Sequence, residues 1–115
     1  MNNNAQTGKD GEQRAAEYLM GKGYKLVERN YRYKRSEIDI IVKKEQLLVF
    51  VEVKTRSYSS FGYPEDAVNG IKIKKVIEGA DQYVHEKNWC HDIRFDVISI
   101  DCSTQEIVHF EDAFY

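Results

Sequence analysis

The stretch from Leu47 to Arg56 constrains the fold more than any other part of the sequence. Five apolar residues, 47–51, run without interruption, and Glu52, Lys54 and Arg56 then follow at every second position. Side chains alternate between the two faces of a strand, so these three charges share one face. The apolar run before them predicts a central strand that is buried on both sides. A carboxylate and an ammonium at the end of such a strand must be paired with each other or bound to a metal ion, and both interpretations fit this stretch.

The length and composition of the chain indicate a single soluble domain. The 115 residues are 42% hydrophobic and 31% charged, which is typical of a folded globular protein. We expect a disordered segment at 1–7 and one domain over 8–115. The two cysteines, Cys90 and Cys102, have no CxxC spacing, and the N-terminus lacks the apolar core of a signal peptide. Since no apolar run is long enough to span a membrane, the sequence predicts a reduced, cytoplasmic protein without a membrane partner.

Basic residues are concentrated in the segment 22–35, although the whole chain has a formal net charge of −2. The segment contains six lysines and arginines against one glutamate, a local net charge of +5, whereas 101–115 contains four acids and no lysine or arginine. A basic strip on a slightly acidic protein favours a polyanion as partner. A strand edge protected by solvated charges would give the same pattern, so both interpretations stay open.

Periodicity and turn residues predict the order of the elements. A first helix is expected over 8–23, with Ala15, Ala16 and Leu19 on its buried stripe and Glu12 one turn earlier on the same stripe. Short turns join the next three strands into an antiparallel meander, and a helix followed by a further strand favours a parallel crossover. These elements form a mixed α/β sandwich. The later elements are strands over 24–33, 36–42 and 47–56, a helix over 70–86, and strands over 93–100 and 107–110.

The turn at 43–46 brings acids of two neighbouring strands together. Residues that pair across this hairpin have numbers that sum to about 89–91, so Asp39 lies opposite a residue near 50–52. Asp39 and Glu52 are therefore expected within reach of a common ion, with Lys54 one pleat further along. Within the strand 36–42, alternation predicts Ile38, Ile40 and Val42 on one face and Glu37, Asp39 and Ile41 on the other.

Two carboxylates beside a lysine favour metal-assisted hydrolysis of a phosphodiester. One or two carboxylates, with water and phosphate in the other positions, are the ligands that Mg²⁺ prefers, with Mn²⁺ as an alternative. Lys54 would orient or deprotonate a water, or stabilise charge on the phosphoryl group. Glu12 would supply another ligand or hold the lysine; alternatively, it interacts with the N-terminus of its own helix, where negative charge is favoured.

The residues of this site also resemble known motifs. Asp39 followed by Glu52-Val53-Lys54 is similar to the PD-(D/E)xK nuclease signature, and nearly the full chain resembles the bacterial YraN-like family. That family is uncharacterised and is assigned to the restriction-endonuclease-like fold, with archaeal Holliday-junction resolvases as relatives. Ser36 stands where the family usually has glycine. The resemblance rests on Gly8, Gly11-Glu12, Ala15-Ala16, Tyr18-Leu19, Gly23-Tyr24, Arg29-Asn30-Tyr31-Arg32, Glu37 to Ile41, Val49 to Arg56, Phe61-Gly62-Tyr63-Pro64 and Lys72.

The resemblance implies a fold, an activity and a set of site residues. The fold would be a restriction-endonuclease-like three-layer α/β core with a mixed central sheet and a short C-terminal strand. The activity would be that of a Mg²⁺-dependent endonuclease on structured or damaged DNA, in repair or recombination. Asp39, Glu52 and Lys54 would be catalytic together with Glu12, and the metal would be bound by the three acids and Glu37. The residues expected to contact substrate phosphates are Arg29, Arg32, Arg35, Arg56 and Lys72.

Other functions fit parts of the sequence. A nucleic-acid-binding module of the same fold would bind junctions without a metal and hydrolyse little. A glycoside hydrolase would use two of Glu37, Asp39 and Glu52, but the basic strip and Lys54 argue against it. A symmetric junction would favour a homodimer. Around the predicted loop 57–62, Tyr58, Phe61 and Tyr63 either stack on unpaired bases or anchor the loop. The set His85, Cys90, His91, Cys102 and His109 lacks the paired spacing of a zinc site.

Overall fold

The computed structural model describes residues 4–56 and 70–114, and within them two helices and five strands follow the predicted order. Helix α1 begins at Asn4, so residues 4–7 of the segment predicted to be disordered lie in the helix. Among the described residues, no helix is long and apolar enough to cross a membrane. The elements are α1 (Asn4–Gly21), β1 (Lys25–Tyr33), β2 (Ser36–Lys44), β3 (Leu47–Arg56), α2 (Gly70–Glu86), β4 (Asp92–Asp101) and β5 (Ile107–Phe110).

Helix α1 ends two residues before the predicted position, and a glycine explains how. Gly23 has a φ of 96°, in the left-handed region that favours glycine. There, Gly23 N donates to Met20 O at 3.0 Å and Tyr24 N donates to Leu19 O at 3.1 Å. These two bonds satisfy carbonyls at the end of the helix and turn the chain into β1.

The five strands form one mixed sheet in the order β1-β2-β3-β4-β5. The first three strands pair antiparallel, β3 and β4 pair parallel, and β5 pairs antiparallel with β4. The predicted meander and the predicted parallel crossover through α2 are therefore confirmed. Strand β3 is the central strand, and its apolar run is buried on both sides, as the sequence predicts. Each fully buried valine, leucine or phenylalanine side chain of this strand stabilises the folded state by about 1.5–3 kcal/mol.

The helices cover opposite faces of the sheet, which gives three layers. We call these the α1 face and the α2 face after the helix that packs on each. The predicted buried stripe of α1 is confirmed, because Ala15, Ala16 and Leu19 all lie in the core of the α1 face. Buried residues of the α1 face are Ala15, Ala16, Leu19, Tyr24, Ile40, Val42, Val49, Val51, Ile98 and Ile100; those of the α2 face are Tyr31, Ile38, Ile41, Leu48, Phe50, Val76, Ala80, Tyr83 and Phe95.

Strand β2 departs from strict alternation at Asp39. Ile40 lies on the α1 face as predicted, but Ile38 lies on the α2 face, so the prediction that both share a face is wrong. The cause is in the neighbouring strand. Asn30 has a φ of 53°, and the residues on either side of it pair with Ile40 and Ile38. Asparagine tolerates this left-handed conformation better than most residues, and the change of direction leaves Asp39 at the junction of the two faces.

A buried acid that the sequence did not single out fixes β5 to the sheet. Asp96 of β4 is fully buried, and Arg94 donates to it from Nε and Nη2 at 2.8 Å each. His109 Nε2 of β5 lies 2.7 Å from Asp96 Oδ2. Burial raises the pKa of Asp96, but the hydrogen bonds from Arg94 and His109 outweigh it, so the pKa is lowered overall. His109 is therefore engaged with an acid in a structural network.

Candidate metal centre

Asp39 lies where the pairing of β2 with β3 ends. The last paired residues are Ile40 and Val51, whose numbers sum to 91, at the upper end of the predicted range. Beyond them, Asp39 Oδ2 accepts a hydrogen bond from Val53 N at 2.8 Å, and Asp39 is 8% exposed. A carboxylate oxygen thus takes the position that a strand carbonyl would otherwise fill. The bond fixes the carboxylate beside β3, close to Glu52.

Glu52 continues the buried row of Leu48 and Phe50 on the α2 face. The residue is 1% exposed, and neither of its carboxylate oxygens has a hydrogen-bond partner among the described residues. Lys72 Nζ of α2 lies 3.1 Å from Glu52 Oε2, an ion pair without the angle of a hydrogen bond. Burial first, and then the adjoining Asp39 carboxyl, raise the pKa of Glu52 to about 8, while Lys72 opposes the rise.

The Asp39–Glu52 pair fits a divalent cation. Buried polar atoms almost always have partners, so the two oxygens of Glu52 require an explanation. Two carboxylates at one strand end also carry more negative charge than a single lysine neutralises. A hard cation bound by both acids, with water and phosphate as its other ligands, would satisfy Glu52 and the charge together. Asp39 and Glu52 are thus the residues that could hold Mg²⁺ or Mn²⁺.

The other two predicted ligands are engaged by arginines. Glu12 Oε1 of α1 lies 3.8 Å from Arg29 Nη2, and Glu37 Oε2 lies 2.8 Å from Arg32 Nη2. Burial first, and then the charge of Asp39, raise the pKa of Glu12, so the Glu12 carboxyl lies close enough to Asp39 to feel its charge. Within residues 4–56 and 70–114, no group of three or more His, Cys, Asp or Glu is placed to hold a metal ion. The structure therefore brings two of the four predicted ligands together.

Lys54, the predicted catalytic lysine, lies on the same face of the sheet as Glu52, whereas Arg35 and Arg56, two predicted phosphate contacts, lie in a turn and at a strand end. Lys54 is half-buried, lies opposite Ser99 of β4, and by alternation shares the α2 face with Glu52. In the described part of the chain, the side chain of Lys54 has no hydrogen bond or ion pair, while its backbone pairs in the sheet. Arg35 is exposed in the turn after β1, and Arg56 is half-buried at the end of β3.

Lys72 is the residue whose role the sequence did not reveal. The sequence predicts that Lys72 contacts phosphate, whereas in the structure its ammonium pairs with Glu52. A signal was present in the sequence, because Lys72 falls in the first turn of a helix, where a cation opposes the helix dipole and needs a nearby anion. Tyr58, Phe61 and Tyr63, expected near the site, lie outside the described residues.

Gly11 explains how α1 can bring Glu12 close to the end of β3. A Cβ at position 11 would overlap Thr55 Cγ2 far inside van der Waals contact. Glycine inside a helix costs up to about 1 kcal/mol relative to alanine, so its presence here needs a packing reason. The close approach of helix and strand supplies that reason.

We expect Gly11→Ala to destabilise the protein by about 1–3 kcal/mol, because the new methyl group forces α1 away from Thr55. Thr55→Ser removes the overlapping methyl group, so the double variant should recover most of the loss. Gly21→Ala is the matched control, because a Cβ there meets nothing within 4 Å. Urea unfolding of the four variants measures this effect. If Gly11→Ala lowers the free energy of unfolding equally with and without Thr55→Ser, the packing explanation is wrong.

Comparison with known proteins identifies one family. A family model described as "Uncharacterised protein family UPF0102" matches residues 11–100. A UPF0102 protein of Flavobacterium psychrophilum is 46% identical over 110 residues, covering 94% of this chain and 92% of the relative. One of Clostridioides difficile is 46% identical over 113 residues, covering 97% and 99%. Among solved structures, SfsA of Pyrococcus furiosus in complex with Ca²⁺ matches at a TM-score of 0.33 and 15% identity, covering 91% of this chain and 62% of that one.

Proposed function

The chain belongs to the uncharacterised protein family UPF0102, and from the carboxylate pair of β2 and β3 we propose that it is a metal-dependent nuclease. Membership confirms the resemblance to the YraN-like family. The proposed reaction is hydrolysis of phosphodiester bonds in structured or damaged DNA. The family description assigns no activity, so the proposal rests on the chemistry of the site.

One observation carries the proposal: Glu52 is a fully buried carboxylate beside a second carboxylate, and within residues 4–56 and 70–114 its oxygens accept no hydrogen bond. A structural Glu–Lys pair would account for one oxygen at most. A divalent cation shared with Asp39 would account for both acids. Phosphoryl transfer and hydrolysis are the reactions for which proteins most often hold Mg²⁺ with one or two carboxylates.

The residues around the pair have separable roles in this proposal. Asp39 and Glu52 would hold the cation, which supplies Lewis acidity toward the phosphate and a more acidic bound water. Val53 N–H keeps the Asp39 carboxylate oriented. Lys54, on the same face as Glu52, would orient the attacking water or stabilise charge on the phosphoryl group. Glu12 would add a carboxyl group near Asp39 from the α1 side.

The proposed partner is DNA, which the protein would contact at the phosphates of the DNA backbone. Arg32, Lys34 and Arg35 are exposed at the end of β1 and in the turn that follows it. Arginines and lysines that contact phosphates give affinity that falls with salt and carries no sequence preference. A four-way junction has two-fold symmetry, so a homodimer in the cytoplasm would suit that substrate.

A cleavage assay on single-stranded, duplex, flap and four-way DNA, with Mg²⁺ or Mn²⁺, tests the proposed activity. We expect metal-dependent cleavage of at least one structured substrate, and loss of that cleavage in Lys54→Ala. Equal activity of the variant would sink the role given to Lys54. Salt-sensitive binding without cleavage of any substrate would instead support the alternative, a nucleic-acid-binding module of the same fold.

A further inference from the structure

Lys72 is the cation nearest to the buried carboxylate. It is the third residue of α2, and the first turn of that helix contains no acid. Its Nζ lies 3.1 Å from Glu52 Oε2, and its side chain is 42% exposed while that of Glu52 is 1% exposed. Burial lowers the pKa of Lys72, but the charges of Glu52 and Asp39 outweigh this, so the pKa is raised and the amine is an ammonium.

At this strand end, Glu52 can pair with the Lys72 ammonium or with a divalent cation, but not with both at once. In their ionised forms Asp39 and Glu52 contribute two negative charges, and Lys72 contributes one positive charge. A divalent cation between the same carboxylates would lie a few ångströms from the Lys72 ammonium, and the two would repel each other strongly at a buried site. The lysine and the metal therefore compete for Glu52.

The Lys72 side chain can also move away from Glu52. Its exposed tip is reached from solvent, and four rotatable bonds let a lysine ammonium move several ångströms without a change in the helix. Glu52, by contrast, is fixed in the sheet between Val51 and Val53. Exchange of cations at Glu52 thus requires movement of the lysine side chain.

We propose that Lys72 is the resident counter-ion of Glu52, which a divalent cation replaces, and that the released ammonium then pairs with a phosphate of the nucleic acid. The inference rests on the proposed function, because it assumes a divalent cation at Asp39 and Glu52. It makes Lys72 a positioning residue that supplies positive charge beside Glu52 until the metal arrives.

Calorimetric titration of the full chain with Mg²⁺ at about pH 9, where protons compete little for carboxylates, tests the exchange. Lys72→Met should bind Mg²⁺ more tightly than the wild type, by on the order of tenfold, because one like charge is gone. Lys72→Arg keeps the charge and should bind like the wild type. Lys74→Met removes an exposed lysine of the same helix and is the matched control, with unchanged affinity. Equal affinity of Lys72→Met and wild type would overturn the exchange.

The titration distinguishes failure of the proposed metal site from failure of the proposed exchange. If the wild type binds no Mg²⁺, the metal site and the exchange both fall; if it binds Mg²⁺ and Lys72→Met binds it equally, only the exchange falls. If Lys72→Met does not fold, the side-chain nitrogen signal of Lys72 in the wild type replaces it as the readout. Mg²⁺ binding must change that signal, and an unchanged signal with Mg²⁺ bound overturns the exchange.

Discussion

Asp39→Asn is expected to lower metal-dependent cleavage by about three orders of magnitude, on the scale of the several kcal/mol that metal-ion stabilisation contributes. Asparagine has nearly the size of aspartate, and its amide oxygen still accepts the hydrogen bond from Val53 N. The junction of β2 and β3 should therefore stay intact while the charge is lost. Single-turnover rates measure the effect, and circular dichroism checks the fold.

Glu37→Gln is the matched control for this prediction. Glu37 precedes Asp39 by two residues on the same strand, and its side chain is 40% exposed and pairs with Arg32. The sequence proposes both acids as ligands, whereas the geometry favours Asp39. We expect the control to keep a rate within about threefold of wild type, since an exposed ion pair contributes little. A control that loses as much activity as Asp39→Asn would contradict this assignment.

Glu52→Gln is expected to make the protein more stable than the wild type at high pH in the presence of EDTA. The pKa of Glu52 is raised from the ordinary 4.5 to about 8, so the folded state holds a proton that the unfolded state has already lost. The stability that this proton gives is complete below pH 4.5 and is lost as the pH rises through 8. A change of one in pKa corresponds to about 1.4 kcal/mol. Because Asp39 and Lys72 share part of the change, we expect the free energy of unfolding of the wild type to fall by on the order of 3 kcal/mol as the pH rises.

Denaturant unfolding between pH 5 and pH 9 measures this difference. Glutamine does not titrate, so Glu52→Gln should match the wild type near pH 5 and exceed it near pH 9. The control is Glu78→Gln, whose side chain lies on an exposed position of α2 and should follow the wild-type curve. Parallel curves for Glu52→Gln and the wild type would show that the buried carboxyl is ionised without cost.

The predictable part of the site follows from local rules. An apolar run that ends in alternating charge specifies a central strand, and β3 is central. The turn after β2 fixes the register, and the register brings Asp39 beside Glu52. Helix periodicity places Glu12 on the buried stripe of α1, because a period of 3.6 holds throughout a helix.

The parts that were not predicted depend on contacts between distant elements. Ile38 changes face because Asn30, in the neighbouring strand, adopts a left-handed conformation, and no pattern within β2 reveals this. Asp96 alternates with Ile98 and Ile100 on one face of β4, but no pattern within β4 reveals His109 of β5, which together with Arg94 makes the burial of Asp96 favourable. Lys72 meets Glu52 only after the crossover packs α2 on the sheet, mainly against β2.

Anomalous diffraction from crystals grown with Mn²⁺ would locate the metal ion itself. We expect a peak within about 2.0–2.5 Å of a carboxylate oxygen of Asp39 and of one of Glu52, with the Lys72 ammonium displaced from the carboxylate. Well-diffracting crystals with Mn²⁺ bound elsewhere, and with Lys72 still paired to Glu52, would contradict this expectation.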